Sequence, residues 1–276
     1  NIILDLVFVL VVRLGVFGVA LATIIAQICS WIFGIFYINR KYSFLHIRFL
    51  QLKIDRELLG QIIRLGVPSA VHQCQFSVAI LIMQALINGF GNDFAAGFTA
   101  ANKIDSFAFM PIQSFSTATT TFVGQNIGAG RLDRVKQGTR SALVLSTVVC
   151  VAITAVVIPL RRPLLMLFNR ESAVVATGEA YLLRVLTPMF VLAIMFILSS
   201  VLRGAGATVV PMVASVVSQW GARVPTAYLL AHLFGPEALY WSYLIGWVLG
   251  VAICLVVYLR GRWRDKCVVI REEGAA

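Results

Sequence analysis

The chain has 276 residues, of which 59% are hydrophobic and only 13% charged, against about 25% charged in soluble domains. With a mean hydropathy of +0.89, this excludes an ordinary soluble domain and predicts an all-α polytopic membrane protein. The net charge of +11 does not point to nucleic acid, because the basic residues sit in short loops between apolar runs and no basic patch is interleaved with aromatic residues. The five cysteines, at 29, 74, 150, 254 and 267, form no CxxC pair, so neither a disulfide framework nor a zinc site is expected.

The chain opens on Asn1 without an initiator Met and is read as a piece of a longer protein. Residues 15–40 align weakly with 235–260, as if one repeat were partly and a second fully present, which would place roughly 180 further residues upstream. Residues 1–13 resemble the outer half of a cut span, and 14–39 make a full one, with Gly15 and Gly18 at the bend between them. Residues 40–64 carry six basic residues, and 41–57 is the expected linker between two lobes. Within it, Asp55-Arg56-Glu57 reads as the polar start of the next helix. Residues 65–92 form the next uncharged run, with Pro68 expected near a helix start, where proline is tolerated.

The segment 94–130 comes next, holding Lys103 and Asp105 and closing on Gly124-Gln-Asn-Ile-Gly-Ala-Gly130. No charged residue occurs from Ser106 to Gly130, and ionisable groups in hydrocarbon cost on the order of 2.5 to 3.5 kcal/mol each, so they line polar pathways or pair. Runs at 141–160, 185–202, 204–222 and 238–259 complete the set. Seven full transmembrane helices plus one partial are expected, and no strand alternation suggests a β-barrel. Sixteen Lys and Arg fall on one side, against four on the other, which predicts a cytoplasmic linker and C-terminus in an inner or plasma membrane.

Counting about 1.5 Å per residue places Asp5 and Thr23 at one depth on adjacent helices, with Asn1 one turn from Asp5 on the same face. A carboxylate, an amide oxygen and a hydroxyl suit a hard cation or a proton; a packing aspartate is the alternative. The same counting puts Lys103, Asp105, Arg184 and Arg223 at one level, where Asp105 is expected to pair with Arg223 or Arg184. A structural salt bridge and a substrate contact both remain open for this group.

These residues carry a resemblance. Asn1-Ile-Ile-Leu-Asp5 with Gly15 to Thr23, Leu65-Gly-Val-Pro-Ser69, Val123 to Gly130, and Leu202-Arg-Gly-Ala-Gly206 with Pro211 resemble, in order, helices five to eleven of the multidrug and toxic compound extrusion (MATE) transporters. The resemblance implies a MATE-like helical bundle of two six-helix lobes. Residues 1–40 would end the first lobe, 58–262 would form the second, and 263–276 would be a cytoplasmic tail. It implies export of small-molecule drugs, cationic and often aromatic, in exchange for H+ or Na+, with no cofactor besides the coupling ion. The partners implied are membrane lipids and the missing N-terminal lobe of the same protein.

The family's first-lobe cation site carries over onto Asn1, Asp5 and Thr23. The acids that some branches place on helices seven and ten are absent from residues 65–92 and 185–202, and Ala207 stands where an acid often follows the Arg-Gly-x-Gly pattern. Gln73, Gln75, His72 and Phe76 are candidates for the substrate side of the seventh helix, or simply polar packing. Gly124 to Gly130 lacks the Gly-Lys-Ser/Thr of a phosphate loop, the three His lack HExxH spacing, and no GxSxG appears. A flippase for lipid-linked oligosaccharide or polysaccharide is the alternative reading, kept by the basic excess of Lys103, Arg184 and Arg223; an enzyme is not expected.

Overall fold

A computed structural model of the chain describes residues 1–41 and 55–261. Most of the expected linker, the expected tail at 263–276, His46 and Cys267 lie outside the described residues. The chain divides into two compact units, Asn1–Leu59 and Gly60–Ala276. Among the described residues the elements are helical throughout.

In the first unit α1 (Ile2–Leu6) runs into a π-helical turn, Val7–Val11, and after a bend α2 (Gly15–Lys41) returns against it. The bend falls where the glycines were expected: Gly15 takes φ 55° beside Arg13 at φ 56°. Gly18 is buried because Phe8 and Leu14 close over it.

The chain continues through α3 (Arg56–Asn88), most of which belongs to the second unit, then α4 (Asn92–Gly128), α5 (Leu132–Met166), α6 (Ser172–Leu186) and α7 (Met189–Gly204). They are followed by α8 (Val209–Val216), a π-helical turn at Val217–Arg223, α9 (Val224–Phe234), a 3-10 turn at Pro236–Tyr240 and α10 (Trp241–Arg260). The Asp55 carboxylate accepts from the backbone N–H of Glu57 at 2.9 Å and Leu58 at 3.3 Å, capping α3. Because the helix starts at Arg56, Pro68 lies well inside it, a correction to its expected place near the start. There it removes a backbone donor and favours a kink. The end of α4 is tight: Arg131 N–H reaches the Asn126 carbonyl at 2.8 Å while Gly130 adopts φ 69°, the left-handed stop that glycine takes without a Cβ clash.

Helix α4 is the spine, packed along α5, α6 and α7, while α7 and the π turn pack on α10. Close approach rests on small residues: a Cβ on Gly97 would come 2.5 Å from the Val174 carbonyl oxygen and 2.8 Å from the Thr177 Cβ of α6. Four helices, α2, α3, α5 and Pro236–Arg260, are long and apolar enough to cross a membrane, or five if α6 and α7, bent by 48° at Thr187–Pro188, count as one span. Seven full spans were expected. The difference lies in residues 94–130, realised as a 37-residue helix rich in Ser, Thr, Asn and Gln, and in residues 204–222, realised as short segments joined through the π turn.

Candidate functional site

The Val217–Arg223 turn carries the polar residues of an otherwise apolar stretch. A π turn inserts an extra residue and rotates the helix beyond it. Here Gln219 and Arg223 are both buried, and the Ser218 hydroxyl donates to the Gly246 carbonyl. Gly246 permits this contact, since a Cβ there would lie 3.1 Å from the Arg223 Cβ. Arg223, 5% exposed, donates from Nη1 to Gln219 Oε1 at 3.1 Å, and its guanidinium lies 3.8 Å from the centroid of the Tyr243 ring, a cation–π contact. Its Nε is buried without a partner.

Arg223 forms part of the wall of a cavity of about 210 Å³ that Asp105 also lines. Phe76, Phe98, Phe109, Tyr181, Tyr243 and Trp247 also line it. The rings brace one another edge to face, Phe98–Tyr181 at 5.2 Å, Tyr181–Tyr243 at 6.0 Å and Tyr243–Trp247 at 5.9 Å. The Tyr181 hydroxyl donates to Asp105 Oδ2 at 3.2 Å. A carboxylate among several aromatic rings in a mostly apolar cavity is an arrangement that can recognise an organic cation, charge against charge and ring against ring.

The four charges expected at one level are therefore divided. Asp105 and Arg223 share the cavity, but among the described residues the ion pairs are Arg161–Glu179 at 3.7 Å and Arg184–Glu237 at 2.8 Å. The expected pairing of Asp105 with Arg184 or Arg223 is thus replaced by its bond to Tyr181. Arg184 finds Glu237 in the 3-10 turn, and Lys103 is exposed beside a separate hollow with Phe168 and Asn169.

Along α3, Phe76 lines the Asp105 cavity, and Gln73 lines a second one of about 330 Å³ with His72, Gln113, Thr117 and Arg203. Gln75 instead is buried, donating to Ser215 Oγ at 2.7 Å. Arg203, expected only as a loop charge, donates from Nη2 to Ser116 and Ser200 Oγ, each at 3.1 Å. In the first unit Asp5 is half-buried with Oδ1 unpartnered, Asn1 is exposed, and the Thr23 hydroxyl donates to the Val19 carbonyl at 2.9 Å. No side-chain hydrogen bond links these three among the described residues.

Sequence reasoning missed Tyr181, Tyr243, Trp247 and Gln219. Two had a usable signal, for Tyr181 precedes Arg184 by three positions and Gln219 precedes Arg223 by four, spacings that share a helix face. In an apolar run an aromatic residue otherwise reads as packing.

The family model described as MatE matches residues 68–229. The chain is 28% identical over 260 residues to "Probable multidrug resistance protein YoeA" of Bacillus subtilis, covering 92% of this chain and 56% of that protein. It is 24% identical over 278 residues to "Multidrug export protein MepA" of Staphylococcus saprophyticus, covering 99% and 60%. Its fold is similar to the crystal structure of the Vibrio cholerae MATE transporter VcmN in the bent form, with TM-score 0.83 at 22% identity over 96% of this chain and 60% of that one. The chain thus spans less than two thirds of the length of these relatives.

Proposed function

The chain belongs to the MatE family, and from that premise we propose that it forms the C-terminal part of a multidrug exporter that exchanges organic cations for H+ or Na+ by alternating access. The observation that carries this reading is the Asp105 carboxylate in a cavity walled by aromatic rings. Asp105 takes the positive group of the substrate and the rings take its plane. The unpartnered Nε of Arg223 takes an acceptor on the same molecule, so aromatic cations that also carry a carbonyl or carboxylate bind best. The names of the relatives, multidrug resistance and multidrug export proteins, support the same class.

Asp5, with Asn1 and Thr23, is the proposed coupling-ion site, and the unpartnered Oδ1 of Asp5 supports it. Coupling follows if ion and drug favour different arrangements of the whole protein. The flippase reading depended on a basic cluster. Arg184 is neutralised by Glu237 and Lys103 stands at another hollow, which favours the drug exporter. We propose further that the protein lies in the cytoplasmic membrane with this chain's C-terminus inside, as the distribution of Lys and Arg requires.

The test is ethidium efflux from vesicles by the full chain that contains this segment, with sodium and proton gradients imposed separately. One gradient is expected to drive efflux, Asp5→Asn to uncouple it, and Asp105→Asn to lower it about tenfold or more, a loss of roughly 1.4 kcal/mol of interaction. No efflux under either gradient would remove the exporter reading.

A further inference from the structure

Three voids lie in series along α3. The Asp105 cavity and a small middle void share Phe76, and the middle void shares His72, Phe196 and Arg203 with the cavity of about 330 Å³ at Gln73. The middle void holds about 10 Å³, close to the smallest space that accepts one water molecule. Its wall is polar where water needs partners: Ser199, Ser215, Ser218 and Gln219 line it together with His72 and Arg203. A buried water settles where two to four such groups converge.

Hydrogen bonds continue the line at both ends. Gln219 Oε1 accepts from Arg223 Nη1 at 3.1 Å, which joins the middle void to the wall of the Asp105 cavity. At the other end Arg203 Nη2 donates to Ser116 and Ser200, and Ser116 lines the Gln73 cavity.

We propose that these voids form one water passage through the lobe, leading from the Arg203 end to Asp105, with a single water in the middle void and Phe76 dividing it from the Asp105 cavity. The passage gives the Asp105 carboxylate a route for proton exchange through the Arg203 end. Around that carboxylate stand Tyr181 from α6, Arg223 from the π turn and Tyr243 from α10; along the passage stand His72 from α3 and Arg203 from α7. The use of the route in transport rests on the proposed exporter function, whereas the passage itself does not.

Hydroxyl-radical footprinting of the full chain in lipid nanodiscs, read by mass spectrometry, tests it, because radicals generated in bound water oxidise the sulfur atoms beside it. Cys254 and Met195 line the middle void. Cys150 is the like-for-like control for Cys254, 1% against 0% exposed, and borders none of the three voids. Cys254 is expected to oxidise at least about tenfold faster than Cys150, as a site touching a bound water; equal rates would overturn the passage. Ala214→Val, which adds volume at the middle void, is expected to bring Cys254 down to the rate of Cys150 while Met83, in the Asp105 cavity, keeps its own. Undiminished oxidation of Cys254 in that folded variant would also count against the passage. If the variant does not fold, the wild-type comparison decides alone. Absence of ethidium efflux would remove the exporter reading and leave the footprinting result intact.

Discussion

Arg184 and Arg223 look alike in the sequence, each a lone arginine in an apolar run, yet their surroundings differ. Arg184 reaches the half-exposed Glu237 at 2.8 Å, whereas Arg223 is buried on the Tyr243 ring with one nitrogen unpartnered. Exposed pairs contribute about 0 to 1 kcal/mol, so Arg184→Gln is expected to leave both thermal stability and efflux within a factor of about two of wild type. A large loss of efflux with intact folding would restore Arg184 to the substrate path. Tyr181→Phe removes the hydroxyl that bonds Asp105 and leaves the ring; it is expected to weaken ethidium binding less than Asp105→Asn does. Asp105 and Arg223 were legible in the sequence because charge in an apolar run is rare. Glu237, 53 positions from Arg184, was not legible as its partner, since only the fold brings the two together.

At the scale of elements, hydrophobic runs marked where helices exist but not how they bend. Thr187–Pro188 carries no charge, so the run at 185–202 conceals the break between α6 and α7. The π turn at Val217–Arg223 likewise cannot be told from an ordinary helical turn by composition, though it holds Gln219 and Arg223 in buried positions. Pro68 was placed near a helix start because the uncharged run begins at Leu65, although Asp55-Arg56-Glu57 was read as the polar start of the same helix and the cap at Asp55 bears that out. By contrast, the stop at Gly130 and the bend at Gly15 were readable, because both need a left-handed backbone that glycine adopts freely. The α4–α6 crossing gives a prediction here. Gly97→Val would press a side chain against the Val174 carbonyl oxygen, 2.5 Å from the new Cβ, and backbone cannot yield as a flexible side chain does. A loss of about 1 to 3 kcal/mol is expected for such overpacking, seen as a lower melting temperature of the full chain; an unchanged melting temperature would mean that the two helices separate without cost.

At the scale of the molecule, α4 holds the second unit together and contributes Asp105 to the aromatic cavity, while the π turn contributes Arg223 to it. The all-helical architecture followed from composition, the length of the uncharged runs and the lack of strand alternation. The division of the expected charge cluster into a cavity pair, an exposed ion pair and a lone lysine did not, because depth counting fixes height along a helix and not the direction of a side chain around it. The most direct measurement is a fluorescence titration of ethidium into the full chain in lipid nanodiscs, for wild type and Asp105→Asn. The carboxylate-and-ring cavity predicts that the substitution weakens binding at least about tenfold while the protein stays folded. Equal affinity in the two proteins would place the organic cation elsewhere and contradict the role given to Asp105.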